Sequence, residues 1–376
     1  MVPDFPIELI EFFLNYLVDW EAKRSLARCA LVCKAWHYPS TSRSFATVLL
    51  DNDDIEALFE LAKTSLVPLP DFIRRLRFYE DSGHPLPPNH ITAVRGMHRV
   101  QELCLTLSDN SIHRYQKILS TTFTSLHTLK FYFRYNNSMD TILPLLSSLH
   151  SIQNLEILYA RHNFFSTYTF PPDYHFPPNL TSIAIQTKDI NGLFEQILSL
   201  RPLPLFSSIV WLGFVGWDDL DSPISRYLRQ AGAALHHLHI APGKSLHFHS
   251  FNDASLLSHS VGLRSLHISS AKGIPPQHAS HAPRDILLGV LPHLHAPQLA
   301  SISIEADGVN NHDTPISGLA VDARDRTWTA IDTALTEDKF AKLQTLAIGG
   351  VSQPWIRTQM IKNMPFCIAR GILVLE

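Results

Sequence analysis

From Phe45 to the last residues, one pattern of apolar and polar positions recurs: apolar, two residues, apolar, one residue, apolar. It reads Phe45-Val48-Leu50, Ile73-Leu76-Phe78, Val100-Leu103-Leu105 and Leu126-Leu129-Phe131. It continues as Ile152-Leu155-Ile157, Leu180-Ile183-Ile185, Phe206-Ile209-Trp211 and Leu235-Leu238-Ile240. Leu263-Leu266-Ile268, Leu299-Ile302-Ile304 and Leu343-Leu346-Ile348 follow, with a half-unit at Leu373-Leu375. The last two apolar positions of each copy lie two apart, the period of a strand with one buried face. Starts between Ile73 and Leu263 fall about 27 residues apart, a spacing at which strand-and-helix units stack and share one core. Between copies, apolar residues take helical spacing, as at Ile112, Tyr115, Ile118 and Leu119. Ile142, Leu143, Leu146 and Leu149 do the same, as do Ile190, Leu193, Phe194 and Ile197. Prolines such as Pro68, Pro144, Pro177 and Pro202 punctuate the returns. The pattern predicts an α/β solenoid, with parallel strands on the concave side and helices on the convex side.

Residues 4–44 follow another period. Asp4 to Val18 reads as an amphipathic helix, with Asp4 as N-cap, Pro6 in the first turn, and Leu9, Phe13, Leu14 and Leu17 at helical spacing. A second helix starts near Asp19 and places Leu26, Ala30, Leu31 and Cys33 along one side, with Trp36 beyond. Pro39 is expected to stop it. So few residues bury little core alone, so the segment must lean on a neighbour or a partner.

The residues of this segment carry a resemblance. Phe5-Pro6-x-Glu8-Leu9-Ile10-x-x-Phe13-Leu14-x-Tyr16-Leu17, followed by Leu26-x-Arg28-Cys29-x-Leu31-Val32-Cys33-Lys34-x-Trp36, resembles the F-box. Phe5 stands where that motif usually opens with Leu, and Phe13 where Ile is common. The resemblance implies binding rather than chemistry: a helical unit docking on the Skp-family adaptor of a cullin–RING ubiquitin ligase. By resemblance the adaptor face comprises Phe5, Pro6, Ile10, Phe13, Leu14 and Leu17. Val32 and Trp36 are expected to join the helices or brace the next domain.

Residues 45–376 resemble the leucine-rich repeat proteins, without the Asn or Cys that family places three residues after the third apolar position. Ser108, Arg134, Ala160, Lys188, Phe214, Gly243 and Ala271 stand there instead. The repeats are therefore expected to be irregular. The combination is similar in style to the large F-box families of mushroom-forming fungi. Expected domains are 1–44 and 45–376, with surplus length looping out near 270–285 and 306–327.

Within each copy the third, fifth and seventh positions alternate against the core and should face the concavity. Lys130 beside Glu156, and Arg75 beside Glu102, should be cross-strand charge pairs. His239 beside His267 should resist double protonation. Ala184, Val210 and Leu212 offer an apolar anchor point. Candidate substrate-binding residues are accordingly Lys130, Glu156, Val210, Leu212, His239 and His267.

Composition narrows the function. The chain has 376 residues, 31 basic and 34 acidic, for a net charge of −3, which gives no nucleic-acid footprint. Four cysteines make no disulfide scaffold, and no run of about 18 apolar residues predicts a membrane span. No phosphate loop, dinucleotide fingerprint, nucleophile elbow or zinc-protease motif is present. The histidine-rich stretch His236, His237, His239, His247 and His249 suggests a metal at first sight. The strand period, however, forces His236, His237 and His239 between core positions, so they read as solvated or packed side chains. Neither a metal nor another cofactor is expected, and the chain is not expected to be an enzyme. The expectation is a cytoplasmic or nuclear substrate-recognition adaptor of an SCF-type ligase. A repeat scaffold that engages no ligase remains the second reading.

Overall fold

The fold comes from a computed structural model. It describes residues 7–15, 20–50, 57–58, 60–61, 64–65, 68–80, 94, 96–106, 109–132, 139–160, 168–187, 190–213, 222–242, 257–269, 283–305, 327–349 and 354–376. Among these, the protein is a mixed α/β fold with twelve strands whose order in the sheet is the order of the chain. The chain divides into two compact units. One holds residues 1–156 and 176–179, the other 157–175 and 180–376. The helical segment therefore groups with the first repeats, and the division falls within the fifth strand. The insertions expected near 270–285 and 306–327 lie largely outside the described residues, as do six of the seven positions of the missing Asn ladder.

The first unit opens with three helices, α1 (Ile7–Asn15), α2 (Trp20–Ala30) and α3 (Lys34–Ser44). Asp4 and Pro6, the expected start of α1, lie outside the described residues. Ile10, Leu14 and Leu26 form a small buried core, with Cys29 and Trp36 packed against it. The expected second helix is two. Its chain turns at 31–33, where the N–H groups of Leu31 and Val32 reach back to the carbonyls of Arg28 and Cys29, both 3.1 Å. The His37 ring donates from Nδ1 to the last carbonyl of α2, Ala30, at 3.1 Å. Pro39 does not stop the helix but sits inside α3, a placement that costs about 3 kcal/mol in an isolated helix. Tertiary contacts offset it: the Tyr38 ring meets Phe72 edge-on at 5.0 Å, and Arg43 donates to the Glu11 carbonyl at 3.0 Å.

Four strands follow in this unit, β1 (Thr47–Leu50), β2 (Arg75–Tyr79), β3 (Glu102–Thr106) and β4 (Thr128–Tyr132), each parallel to the next. β5 (Asn154–Ala160) crosses the division. The returns after β3 and β4 are α4 (Asp109–Thr122) and α5 (Met139–Ser148). Ile112, Leu119, Ile142, Leu143 and Leu146 are buried on them, as the helical spacing predicts. Pro144 lies within α5 rather than at a return.

The second unit repeats the plan with β6 (Ser182–Thr187), α6 (Ile190–Ser199), β7 (Ser208–Gly213), α7 (Pro223–Ala231), β8 (His237–Pro242) and β9 (Ser265–Ser269). Then come α8 (Pro283–Val290), β10 (Ser301–Glu305), α9 (Thr327–Ala334), β11 (Thr345–Gly349), α10 (Pro354–Asn363), α11 (Pro365–Ala369) and β12 (Leu373–Leu375). Buried polar groups tie the returns to the strands. The Tyr227 hydroxyl on α7 donates to the Pro204 carbonyl at 2.9 Å and accepts from the Phe206 N–H at 3.0 Å. The buried Asp332 carboxylate on α9 accepts from the N–H groups of Phe366 and Cys367, each at 2.9 Å, and so holds the start of α11. At Gly262 a Cβ would stand 2.0 Å from the Ala233 carbonyl, so only glycine lets the two turns approach.

Every full copy of the pattern from Ile73 on is a strand with its fourth and sixth residues inward, and every such residue whose side chain is described is buried. A backbone joint repeats at the strand starts. One carbonyl accepts two N–H groups of the next repeat, as Arg74 accepts from Gln101 and Glu102 at 2.8 and 3.0 Å, and Arg264 from Ala300 and Ser301 at 2.8 and 3.1 Å. Just before, a tight turn closes from the first apolar N–H to the carbonyl three residues earlier, as in Leu126 to Phe123. Buried Met97, Phe123, Leu149 and Phe340 occupy that earlier position, an apolar site the six-residue pattern does not include.

Candidate binding surfaces

Helix α1 is apolar on two faces. Ile10 and Leu14, four apart, point into the helical core and are 0% and 1% exposed. They offer a partner no surface, so the expected adaptor face is corrected at these two residues: their spacing serves the module's own packing. Phe13 is 52% exposed, beside Phe12 at 53% and Leu9 at 44%. The Phe12 and Phe13 rings meet at a 75° tilt, 6.2 Å apart. Leu31 and Val32, in the turn after α2, are 84% and 68% exposed. Leu31, Val32 and Cys33 therefore do not line the core, whereas Trp36 does pack against it. Phe5, Pro6 and Leu17 lie outside the described residues. Leu9 and Phe12 were absent from the face that the resemblance implied, although a helix apolar on two faces needs cover on both.

On the first unit's sheet face, the expected register holds. Arg75 pairs with Glu102, Arg77 with Cys104, and Cys104 with Lys130. Lys130 Nζ lies 3.0 Å from Glu156 Oε1 and 3.2 Å from Glu102 Oε1, and Arg75 Nε lies 3.6 Å from Glu102 Oε2. The result is a continuous chain of alternating charge, Arg75–Glu102–Lys130–Glu156. Burial pulls the Lys130 ammonium downward, but hydrogen bonding and charge from Glu156, then Glu102, outweigh it and hold it above the usual lysine value. Arg77 reaches across β3 to lie 4.9 Å from the centre of the Tyr132 ring. Cys104 keeps its expected place in this row beside Arg77 and Lys130, but it is buried there. Burial pushes its thiol up to about 11, so it is an inert packing group.

The second unit's sheet face carries little charge. Ala184 pairs with Val210, Val210 with His239, His239 with His267, and His267 with Ser303. Val210 is half-buried; the side chain of Leu212 lies outside the described residues. The rings of His239 and His267 stand edge to face with centroids 4.0 Å apart. His239 Nε2 is 2.8 Å from Ser269 Oγ, and His267 Nε2 is 3.6 Å from Glu305 Oε2. Burial, then the neighbouring His267, lowers His239 to about 4. Burial also lowers His267, against the charge of Glu305. The expected resistance to a second charge is therefore present, with desolvation rather than repulsion as its larger cause.

No protein-family model matches the chain. No curated protein matches its sequence either.

His236 and His237 lie between the core residues Leu235 and Leu238, His237 exposed and His236 half-buried. His247 and His249 lie outside the described residues. Seventh positions are less uniform than the strand period implies: Glu305 is exposed, but Thr106, Ala241 and Ser269 are buried. Among the described residues, no helix is long and apolar enough to cross a membrane.

Proposed function

We propose that this chain is a substrate-recognition adaptor of an SCF-type cullin–RING ubiquitin ligase. Its N-terminal helices dock on the Skp-family adaptor, and its repeats capture a protein substrate. Such a protein contributes proximity and orientation rather than a reacting group. One observation supports the docking most: α1 leaves Leu9, Phe12 and Phe13 half-exposed although its opposite face already fills the helical core. Spaced apolar anchors on a short helix suit a partner's groove. The F-box-like residues supply the identity of that partner.

Recovery of a purified Skp-family adaptor on the immobilised full chain tests this. The double substitution Phe12→Asp, Phe13→Asp changes half-exposed side chains outside the helical core. It should reduce adaptor recovery at least tenfold while the circular dichroism spectrum and melting temperature stay as in the wild type. Leu14→Asp should lose recovery differently, by charging the helical core at a cost of several kcal/mol and unfolding it. Equal recovery by the wild type and the Phe12/Phe13 variant defeats the assignment of this face.

A second reading, a repeat scaffold with a helical cap and no ligase, draws on α3. Tyr38 against Phe72, and Lys23 Nζ donating to the Thr47 carbonyl at 3.3 Å, tie the helices to the first repeats as a cap requires. A wild-type chain that recovers no adaptor decides for the cap.

A further inference from the structure

Two neutral imidazoles in ring contact across adjacent strands are an unusual joint in a sheet. The same positions in the first unit hold Cys104 and Lys130, and opposite charges bind the neighbouring strands there. His239 and His267 are cross-strand partners, each half-buried, with centroids 4.0 Å apart. They fill each other's exposed edge while both are neutral. Few groups nearby can compensate a proton. β7 presents Val210 to His239, His237 lies on the same strand face, and Ser269 offers one hydroxyl. Among the described residues, Glu305 on β10 is the one carboxylate at the pair, and it reaches His267 rather than His239. A charge on His239 is therefore poorly solvated and sits against a second imidazole.

We propose that the His239–His267 contact is a proton-sensitive latch between β8 and β9, closed with both rings neutral and opened by protonation. Acid then loosens the sheet of the second unit around β8–β10 and leaves β3–β4 of the first unit as a reference within the same chain. The sign follows from linkage. His239 binds its proton less readily folded, at about 4, than at the ordinary 6.5 of an open chain. Protons therefore favour the opened form, and the latch weakens progressively as pH falls below 6.5, reaching its full loss near 4. Partial exposure of the rings reduces the expected effect to about tenfold in the local opening equilibrium.

Hydrogen exchange of the full chain between pH 7.5 and 5, corrected for intrinsic rates, reads this directly. Protection of residues 237–241 and 265–269 should fall about tenfold more than that of 102–106 and 128–132. His239→Gln should remove that difference, whereas His267→Gln should only reduce it, because burial of His239 is the larger cause. Should a variant not fold, imidazole titration of the wild type by nuclear magnetic resonance still decides, because His239 must titrate well below 6.5. Equal loss in both regions, an acid response that persists in His239→Gln, or a His239 titrating near 6.5 overturns the latch. Adaptor recovery at pH 7.5 is independent of this outcome.

Discussion

The two units build one kind of strand and finish its outer face in opposite ways. In the first, Arg75, Glu102, Lys130 and Glu156 form a chain of ion pairs, and Arg77 lies over Tyr132. In the second, two imidazoles stand in a row between Ala184 and Val210 on one side and Ser303 and Ala347 on the other. The inward residues of both are apolar, largely Leu and Phe in the first unit and largely Ile and Leu in the second, so the core does not dictate this difference. A charged face holds its strands by pairing and resists removal of any one member. A neutral face holds them by contact and responds to the arrival of a charge. Mild acid should therefore loosen the second region before the first, and alkali the first before the second.

Lys130→Ala should break the comparison most. It leaves Glu102 and Glu156 facing each other without their shared cation, a loss of about 1–3 kcal/mol for half-buried groups. Urea unfolding should show it, and exchange at 102–106 should rise while 265–269 stays unchanged. Adding Glu156→Ala should restore part of the loss, and the double-mutant cycle measures the coupling. An additive cycle would mean that the 3.0 Å contact contributes nothing.

Alkali should produce a smaller effect in the same region. The folded chain holds the Lys130 proton more tightly than an open chain does. Its stabilisation is thus complete below the ordinary lysine value of 10.5 and is lost as pH rises through the higher folded value. Exchange or proteolysis above pH 10.5 should attack β3–β4 first in the wild type, and Lys130→Ala should shrink this step without removing it, because the buried Cys104 thiol, pushed up to about 11, also resists ionising there.

Smallest of all should be Arg75→Ala. Its guanidinium is largely in water and 3.6 Å from Glu102, so the expected cost lies within about 0.5 kcal/mol. A loss as large as that of Lys130→Ala would show that the ion chain acts as one network rather than around its central lysine.

The strands and their register were legible in the amino-acid sequence because strand geometry admits little choice. Once Leu129 and Phe131 face inward, Lys130 must face out, and parallel stacking then puts it beside its counterparts. The helical segment was less legible for the opposite reason. Helix α1 has apolar residues on both sides, and periodicity alone does not say that Ile10 and Leu14 take the core while Leu9, Phe12 and Phe13 stay outside. Pro39 misled because a helix-breaking tendency is local, whereas Tyr38 against Phe72 is a tertiary contact. Cys104 misled because the strand period gives direction but not the length of neighbours that fold over a small side chain. The Lys130–Glu102 contact was missed for a related reason. It joins a fifth position to a third, a diagonal that long side chains span and a column of equivalent positions does not display.

The carbonyl that receives two N–H groups at nine of the strand starts has a consequence for how this chain can change. The residue supplying it is Ala46, Arg74, Gln101, His127, Thr181, Ser207, His236, Arg264 or Ala300, small or long, charged or neutral. The joint is made wholly of main chain and is indifferent to the side chain it carries. Substitution on the outer face, and altered length in the segments between strands, therefore leave each module docked on the one before. Such a scaffold can diversify what it presents while keeping its joinery, in the way that standard couplings let dissimilar parts be exchanged on one frame.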